Sequence, residues 1–316
     1  MTVRRVRVRA PGKVNLHLSV GAAGPDGFHP IATVFQAVDL HEVVTATARK
    51  DSQITLTVDA TPSLSGSVAA DFLERVPLDH GNLAWQAALA VRERFGIDAG
   101  VDLHILKGVP VAGGMAGGSA DAAAAVVACA ELWECGASRS ELREICAGLG
   151  SDVPFALMGH TAVGIGRGDQ LTPAMTRGEY HWVFAASHAG LSTPDVFREF
   201  DRIAKAAGAE LPSPRLNDPV MQALTVGDAV ALGAALSNDL EAAALSLAPS
   251  LERTMESMRS MDALGVIVSG SGPTVAALAR SRQHALAIAA HVLSEGAADA
   301  AYCATGPSVG AAILDD

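Results

Sequence analysis

Residues 3–10 alternate, with Val6, Val8 and Ala10 on one side and Arg5, Arg7 and Arg9 on the other. A period of two marks a strand with one wet face. Ala10-Pro11-Gly12-Lys13 interrupts the pattern, which resumes over 14–20. Turn-forming residues fill 21–27 and lead into Phe28-His29. Alternation returns over 31–59 and predicts strands near 41–48 and 53–59, followed by an exposed loop over 61–67. Helical spacing begins at Gly81-Asn82 and runs to about Phe95, and 101–105 reads as a strand. Residues 119–134 are apolar almost all round, so the helix predicted there is buried. Ser138 with Glu141 three places on opens another helix as a capping box.

Glycine-rich short strands are expected over 159–172, which is the predicted boundary between an N-terminal lobe, 1–158, and a C-terminal lobe, 159–316. Helices follow near 194–207, 219–224, 227–235, 250–260 and 282–294, with strands at 264–268 and 275–279. Strands come in runs and do not alternate regularly with helices, so the expected class is α+β in two lobes. A chain of 316 residues suits that division.

Composition narrows the function. Hydrophobic residues make up 49% of the chain and aromatics only 4%, so the core is built from Ala, Val and Leu. The formal net charge of −11 argues against a polyanionic partner such as nucleic acid. No run approaches the ~20 apolar residues needed to span a bilayer, and no charged-then-apolar leader opens the chain. Cys129, Cys135, Cys146 and Cys303 match no metal-binding or CxxC spacing. A cytoplasmic protein acting on a small molecule is expected, as a monomer or weak homodimer, with no dedicated metal cage.

The candidate chemistry centres on Pro110-Val111-Ala112-Gly113-Gly114-Met115-Ala116-Gly117-Gly118-Ser119, which packs four glycines into six positions. Glycine lets backbone N–H groups approach a ligand closely, and a helix starting at Ser119 would aim its free N–H groups and positive dipole end at the same place. That combination suits a phosphate. No lysine follows Gly118, so the loop is not a Walker A sequence. Gly113 and Gly114 are adjacent, which breaks the dinucleotide spacing, and no protein-kinase motifs follow. A turn that merely permits close packing remains the alternative.

Three segments in order, Ala10-Pro11-Gly12-Lys13-Val14-Asn15-Leu16, the loop at 110–123 and Val268-Ser269-Gly270-Ser271-Gly272-Pro273, resemble the GHMP small-molecule kinases. Gly27-Phe28-His29, Leu149-Gly150-Ser151-Asp152-Val153-Pro154-Phe155 and Asn238-Asp239-Leu240-Glu241 look like the member whose acceptor is a cytidine-diphosphate-linked alcohol. The resemblance implies ATP and Mg²⁺. It assigns Asp152 as general base with Lys13 as its partner, and the phosphates to Pro110, Gly113, Gly114, Gly117, Gly118 and Ser119. Asn82 and Lys107 fall near the nucleotide base, and Asn15, Phe28 and His29 near the acceptor. Taken alone, Asp152 reads as a helix N-cap, Lys13 as a solvated strand end, Phe28 as core and His29 as a loop residue, and only the resemblance reverses these readings. The loop departs from the family at Ala112, Met115 and Ala116, so its left-handed positions are expected at the remaining glycines. A mevalonate- or homoserine-type kinase, or a non-catalytic sensor on the same scaffold, stays open.

Overall fold

The structure is a computed structural model that describes residues 4–64, 73–74, 76–110, 113–187 and 190–315. Two sheets organise it. The first contains β1 (Arg5–Val20), β2 (Ile31–Ala48), β3 (Ile54–Ala60), β4 (Val101–Lys107), β5 (Thr161–Gly166), β6 (Gln170–Pro173), β8 (Ser237–Asn238) and β12 (Ala312–Ile313). Its main path runs β12-β1-β2-β4-β3, with β5 and β6 continuing from β2 and β8 beside β1. The second sheet has the order β11-β7-β10-β9, from β7 (Tyr180–Ala186), β9 (Gly265–Val268), β10 (Val275–Ala279) and β11 (Ala300–Gly306), and is antiparallel throughout.

The helices are α1 (Leu83–Phe95), α2 (Gly117–Leu132), α3 (Arg139–Leu149), α4 (Val153–Met158) and α5 (Thr193–Ala206) in the first part of the chain. The rest are α6 (Asp218–Val226), α7 (Ala229–Ala235), α8 (Glu241–Leu247), α9 (Ser250–Ser260) and α10 (Arg282–Ser294). None is long and apolar enough to cross a membrane, among the described residues. Ser138 forms the expected capping box with Glu141 at the start of α3.

Residues 5–20 form one strand, where an interruption at 10–13 was expected. The pairing with β2 slips between Pro11 and Gly12 and again between Asn15 and His17. Proline has no N–H to give a ladder, and Asp39 and Leu40 of β2 are absorbed there as a bulge. The slip frees the Lys13 N–H to donate to the Met115 carbonyl at 3.1 Å, so the bulge is where the strand grips the glycine loop. Likewise β2 is one strand over Ile31–Ala48. In the loop expected at 61–67, Pro62–Leu64 make one 3₁₀ turn, and 65–67 lie outside the described residues.

Helix α2 packs against α1 and the first sheet. Ala122, Ala123, Ala124, Ala125 and Val126 are each 0% exposed. Small side chains let a helix lie close on every side, which is why its sequence shows no polar face. The second sheet is covered on both faces. Val183, Ala185, Val275 and Ala277 face a core built with helices α8, α9 and α10. Tyr180, Trp182, Phe184, Ala276 and Leu278 face Val14, Leu16, Val34 and Val38 of the first sheet. A strand buried on both faces, as β7 is, has no period of two to detect, and neither β7 nor the half-buried β11 was foreseen. β5 and β6, which begin just after the expected lobe boundary at 158/159, pair within the first sheet, and β8 and β12 return to it from the second half of the chain.

Because α2 has no free face, Ala124→Leu should lower stability by about 1–3 kcal/mol through overpacking. Denaturant unfolding checks this, and an unchanged midpoint would mean that the helix has room the packing denies it.

Candidate active site

A cleft of about 890 Å³ opens among β1, β2, the glycine loop, α5 and the segment at 270–272. The glycine loop forms one wall, Lys13 and Asp152 the floor, and Phe28, His29 and α5 the far end.

Helix α2 begins at Gly117, two residues earlier than expected, and its N-cap is Ala116 at φ 58°, ψ 35°. Left-handed backbone costs an L-residue roughly 1–2 kcal/mol, so the expectation that only glycines would take such positions is corrected: Gly114, at φ 70°, and Ala116 both do. Ala112 lies outside the described residues. The alanine N-cap makes no side-chain hydrogen bond to the first turn. The N–H groups of Gly117, Gly118 and Ser119 are therefore left for a ligand, at the positive end of a 16-residue helix. Ser119 is the third helical residue and not a cap, and it stands back from the cleft that Gly113, Gly114, Gly117 and Gly118 line. Pro110 is buried behind the loop.

Gly114 joins three distant segments. Its carbonyl accepts from Lys13 Nζ at 2.7 Å and from Ser269 Oγ at 3.3 Å. A Cβ on it would stand 2.0 Å from the Ser269 carbonyl oxygen. Lys13 Nζ also donates to Asn15 Oδ1 at 2.7 Å, and Asn15 Nδ2 donates in turn to Thr33 Oγ1 at 2.8 Å. Asn238 Nδ2 donates to the carbonyls of Val268 and Gly270, both at 2.8 Å, which holds the segment at 268–272 beside the cleft.

Lys13 is only 5% exposed and faces Asp152 Oδ2 at 4.0 Å. Burial pushes its pKa down from the ordinary lysine value, and the charge of Asp152 pulls part of the way back. An ammonium has three hydrogens to donate. Asn15 and Gly114 take two, and the third is free to meet a reacting oxygen near Asp152. The Asp152 side chain is 31% exposed and makes no capping hydrogen bond although it precedes α4. The N-cap reading of this residue is therefore not realised.

At the far end, His29 Nε2 meets Asp201 Oδ1 at 2.9 Å, and its ring lies 4.9 Å from that of Phe197. Phe28 is 53% exposed, so it is not core, and the Arg167 guanidinium sits 4.6 Å from its ring centroid. Asp201, Phe197 and Arg167 were not singled out in the sequence. The amphipathic spacing of 194–207 shows that α5 exists, but not that its inner face meets His29.

Asn82 and Lys107, expected beside a nucleotide base, do not line the cleft. Asn82 caps α1: its Oδ1 accepts from the Ala84 N–H at 2.8 Å and its Nδ2 donates to the Pro77 carbonyl at 2.9 Å. Lys107 Nζ is turned inward and is held at 2.6 Å by Glu42 and at 2.6 Å by Asp121.

The sequence pattern of the GHMP kinases N terminal domain matches residues 82–160 and that of the GHMP kinases C terminal matches 220–298. The chain belongs to the GHMP kinases, enzymes that use ATP. Two of its relatives are named 4-diphosphocytidyl-2-C-methyl-D-erythritol kinase. One, from Streptomyces avermitilis, is 51% identical over 98% of this chain and 99% of its own. The other, from Thermobifida fusca, is 49% identical over 98% of each. A crystal structure of 4-(cytidine 5'-diphospho)-2C-methyl-D-erythritol kinase superposes with a TM-score of 0.73 at 27% identity, covering 95% of this chain and 98% of that one. Homoserine kinase from Cytophaga hutchinsonii, at 18% identity and a TM-score of 0.72 over 98% of this chain and 97% of that one, shares the fold.

Gly114→Ala would drive a Cβ into the Ser269 carbonyl at a left-handed backbone position. We expect turnover to fall on the order of 100-fold, as when a positioning loop shifts by an ångström, with the circular dichroism of the folded protein retained. Wild-type turnover in this variant would show that the contact does not shape the site.

Proposed function

We propose that this enzyme transfers the γ-phosphoryl group of ATP to the 2-hydroxyl of 4-diphosphocytidyl-2-C-methyl-D-erythritol, a step of the non-mevalonate route to isoprenoid precursors. The observation that carries the chemistry is the Lys13–Asp152 pair at 4.0 Å, set between the glycine loop and an aromatic pocket. Asp152 accepts the hydroxyl proton as the new O–P bond forms. Lys13 sets its ammonium 4.0 Å from that carboxylate and offers its unused N–H to the developing alkoxide. The N–H groups of Gly117 and Gly118 receive the phosphates, and Asn15 holds Lys13 in place and borders the acceptor.

The acceptor assignment is supported by the far end of the cleft. A pyrimidine fits against the rings of Phe28, His29 and Phe197. Asp201 occupies one ring nitrogen of His29, which leaves the other for a base edge.

Among the described residues no three His, Cys, Asp or Glu side chains gather as a metal site. Mg²⁺ would enter with the triphosphate and supply charge neutralisation to the phosphates, and Asp152 is the carboxylate beside the glycine loop that could face it. A monomer or weak homodimer is the oligomeric state proposed. All four cysteines are free thiols, which fits a reducing cytoplasm.

A mevalonate- or homoserine-type reaction is the second reading, supported by the shared fold alone. An ADP-release assay with ATP, Mg²⁺ and a panel of alcohols separates the two. The cytidine-diphosphate-linked alcohol should be the preferred acceptor, and turnover of mevalonate or homoserine in its place would overturn the assignment. Asp152→Asn should retain ATP binding and lose about 10²–10⁴-fold in kcat. Near-normal turnover in that variant would remove Asp152 as the base and favour a role in orienting the hydroxyl.

A further inference from the structure

Three charged side chains meet beneath the glycine loop without touching the cleft. Lys107 ends β4, Glu42 comes from β2 and Asp121 from the second turn of α2. Their side chains are 3%, 0% and 4% exposed. Lys107 Nζ lies 2.6 Å from Glu42 Oε1 and 2.6 Å from Asp121 Oδ2. Glu42 Oε2 accepts from the Gly108 N–H at 2.8 Å. The cluster also abuts the loop itself: a Cβ on Gly117 would stand 2.8 Å from Glu42 Oε1 and 3.5 Å from Lys107 Nζ.

One ammonium faces two carboxyls. With both ionised, the cluster would carry a net negative charge under a helix end that faces a polyphosphate. The hydrogen-bond inventory points the other way. Asp121 Oδ1 is buried with no hydrogen-bond partner among the described residues, and Glu42 Oε1 has only the shared Lys107 ammonium, at 2.6 Å. A buried ionised carboxylate with an unsatisfied oxygen is costly, and keeping a proton removes the charge. Burial pushes the Glu42 carboxyl up to about 8 against the pull of Lys107, and pushes Asp121 in the same direction. Lys107 would be lowered by burial, but Asp121 and Glu42 more than offset this and keep it charged.

We propose that Glu42, Lys107 and Asp121 are positioning residues for the phosphoryl donor: they lock the first turns of α2 against β2 and β4 as an electrically neutral cluster in which one carboxyl keeps its proton. None of them touches the nucleotide. The proposal rests on reading the loop as the ATP phosphate site. Glu42 is faced by Lys107 from β4 and by Asp121 from α2, and its partner on β1 is the uncharged Ala10. Loss of the proton at alkaline pH leaves the cluster negative directly behind Gly117, where it opposes the phosphates. ATP binding is thereby coupled to uptake of one proton, and the affinity falls once the free protein has lost it.

The experiment is titration calorimetry of the full chain with Mg·ATP between about pH 7 and about pH 9, in two buffers of different ionisation enthalpy. The wild type should bind about tenfold more weakly at the upper end and take up a proton there. Glu42→Gln should bind with a flat profile and without that uptake, while a share of the pH dependence due to Lys13 survives in kcat. Lys107→Met should raise the KM for ATP and leave that of the acceptor unchanged. Should that variant fail to fold, Glu42→Gln decides alone. A wild type with no alkaline weakening, or a Glu42→Gln variant that keeps it, overturns the inference while ATP binding itself stands. A wild type that does not bind ATP overturns the loop reading and this inference together.

Discussion

The close approach of Gly114 to Ser269 is the constraint on which the site depends. At that point the loop carbonyl receives Lys13 from the first sheet and Ser269 from the second. No side chain fits between Gly114 and the Ser269 carbonyl. Segments 101 residues before Gly114 and 155 residues after it are thus joined through one backbone unit. The bulge at Pro11 and Gly12 completes the junction, because it turns the Lys13 N–H away from β2 and onto Met115. A deformation at any of these points moves the ammonium, the loop and the helix end together.

Two buried lysines show how the same side chain serves different ends. Lys13 has a single carboxylate for company, at 4.0 Å, and two neutral acceptors at 2.7 Å, so desolvation dominates and its proton is loosely held. Lys107 is gripped by two carboxyls at 2.6 Å, which more than offset the same burial. The first arrangement leaves a donor free to follow charge developing on a substrate. The second leaves nothing free, and suits a group that holds the scaffold.

Much of the fold was legible from local pattern. The alternation of residues 4–10, the capping box at Ser138 and the all-apolar run of the buried helix α2 each appear as the pattern predicts. Legibility failed in strands covered on both faces. Tyr180–Ala186 packs helices on one side and the first sheet on the other, so its residues carry no contrast to read. The site divides in the same way. Gly113, Gly114, Gly117, Gly118, Lys13 and Asp152 stand in motifs and line one cleft. Asn82 and Lys107 have polar side chains whose partners lie near them in space and not in the cleft, and nothing at those positions in the chain says so.

Residue type and spacing alone determined that a glycine loop precedes a buried helix, and the resemblance of the motifs to a known family added the lysine, the aspartate and the class of small-molecule kinases. These are local properties: backbone freedom, periodicity and motif order are written in neighbouring residues. Which of two lysines faces the cleft, why an alanine occupies a left-handed N-cap, and that Asp201 and Phe197 support His29 were decided by the tertiary structure. The reason is physical. Burial and pairing set the charge and direction of a polar side chain, and both depend on elements brought from far along the chain to within a few ångströms.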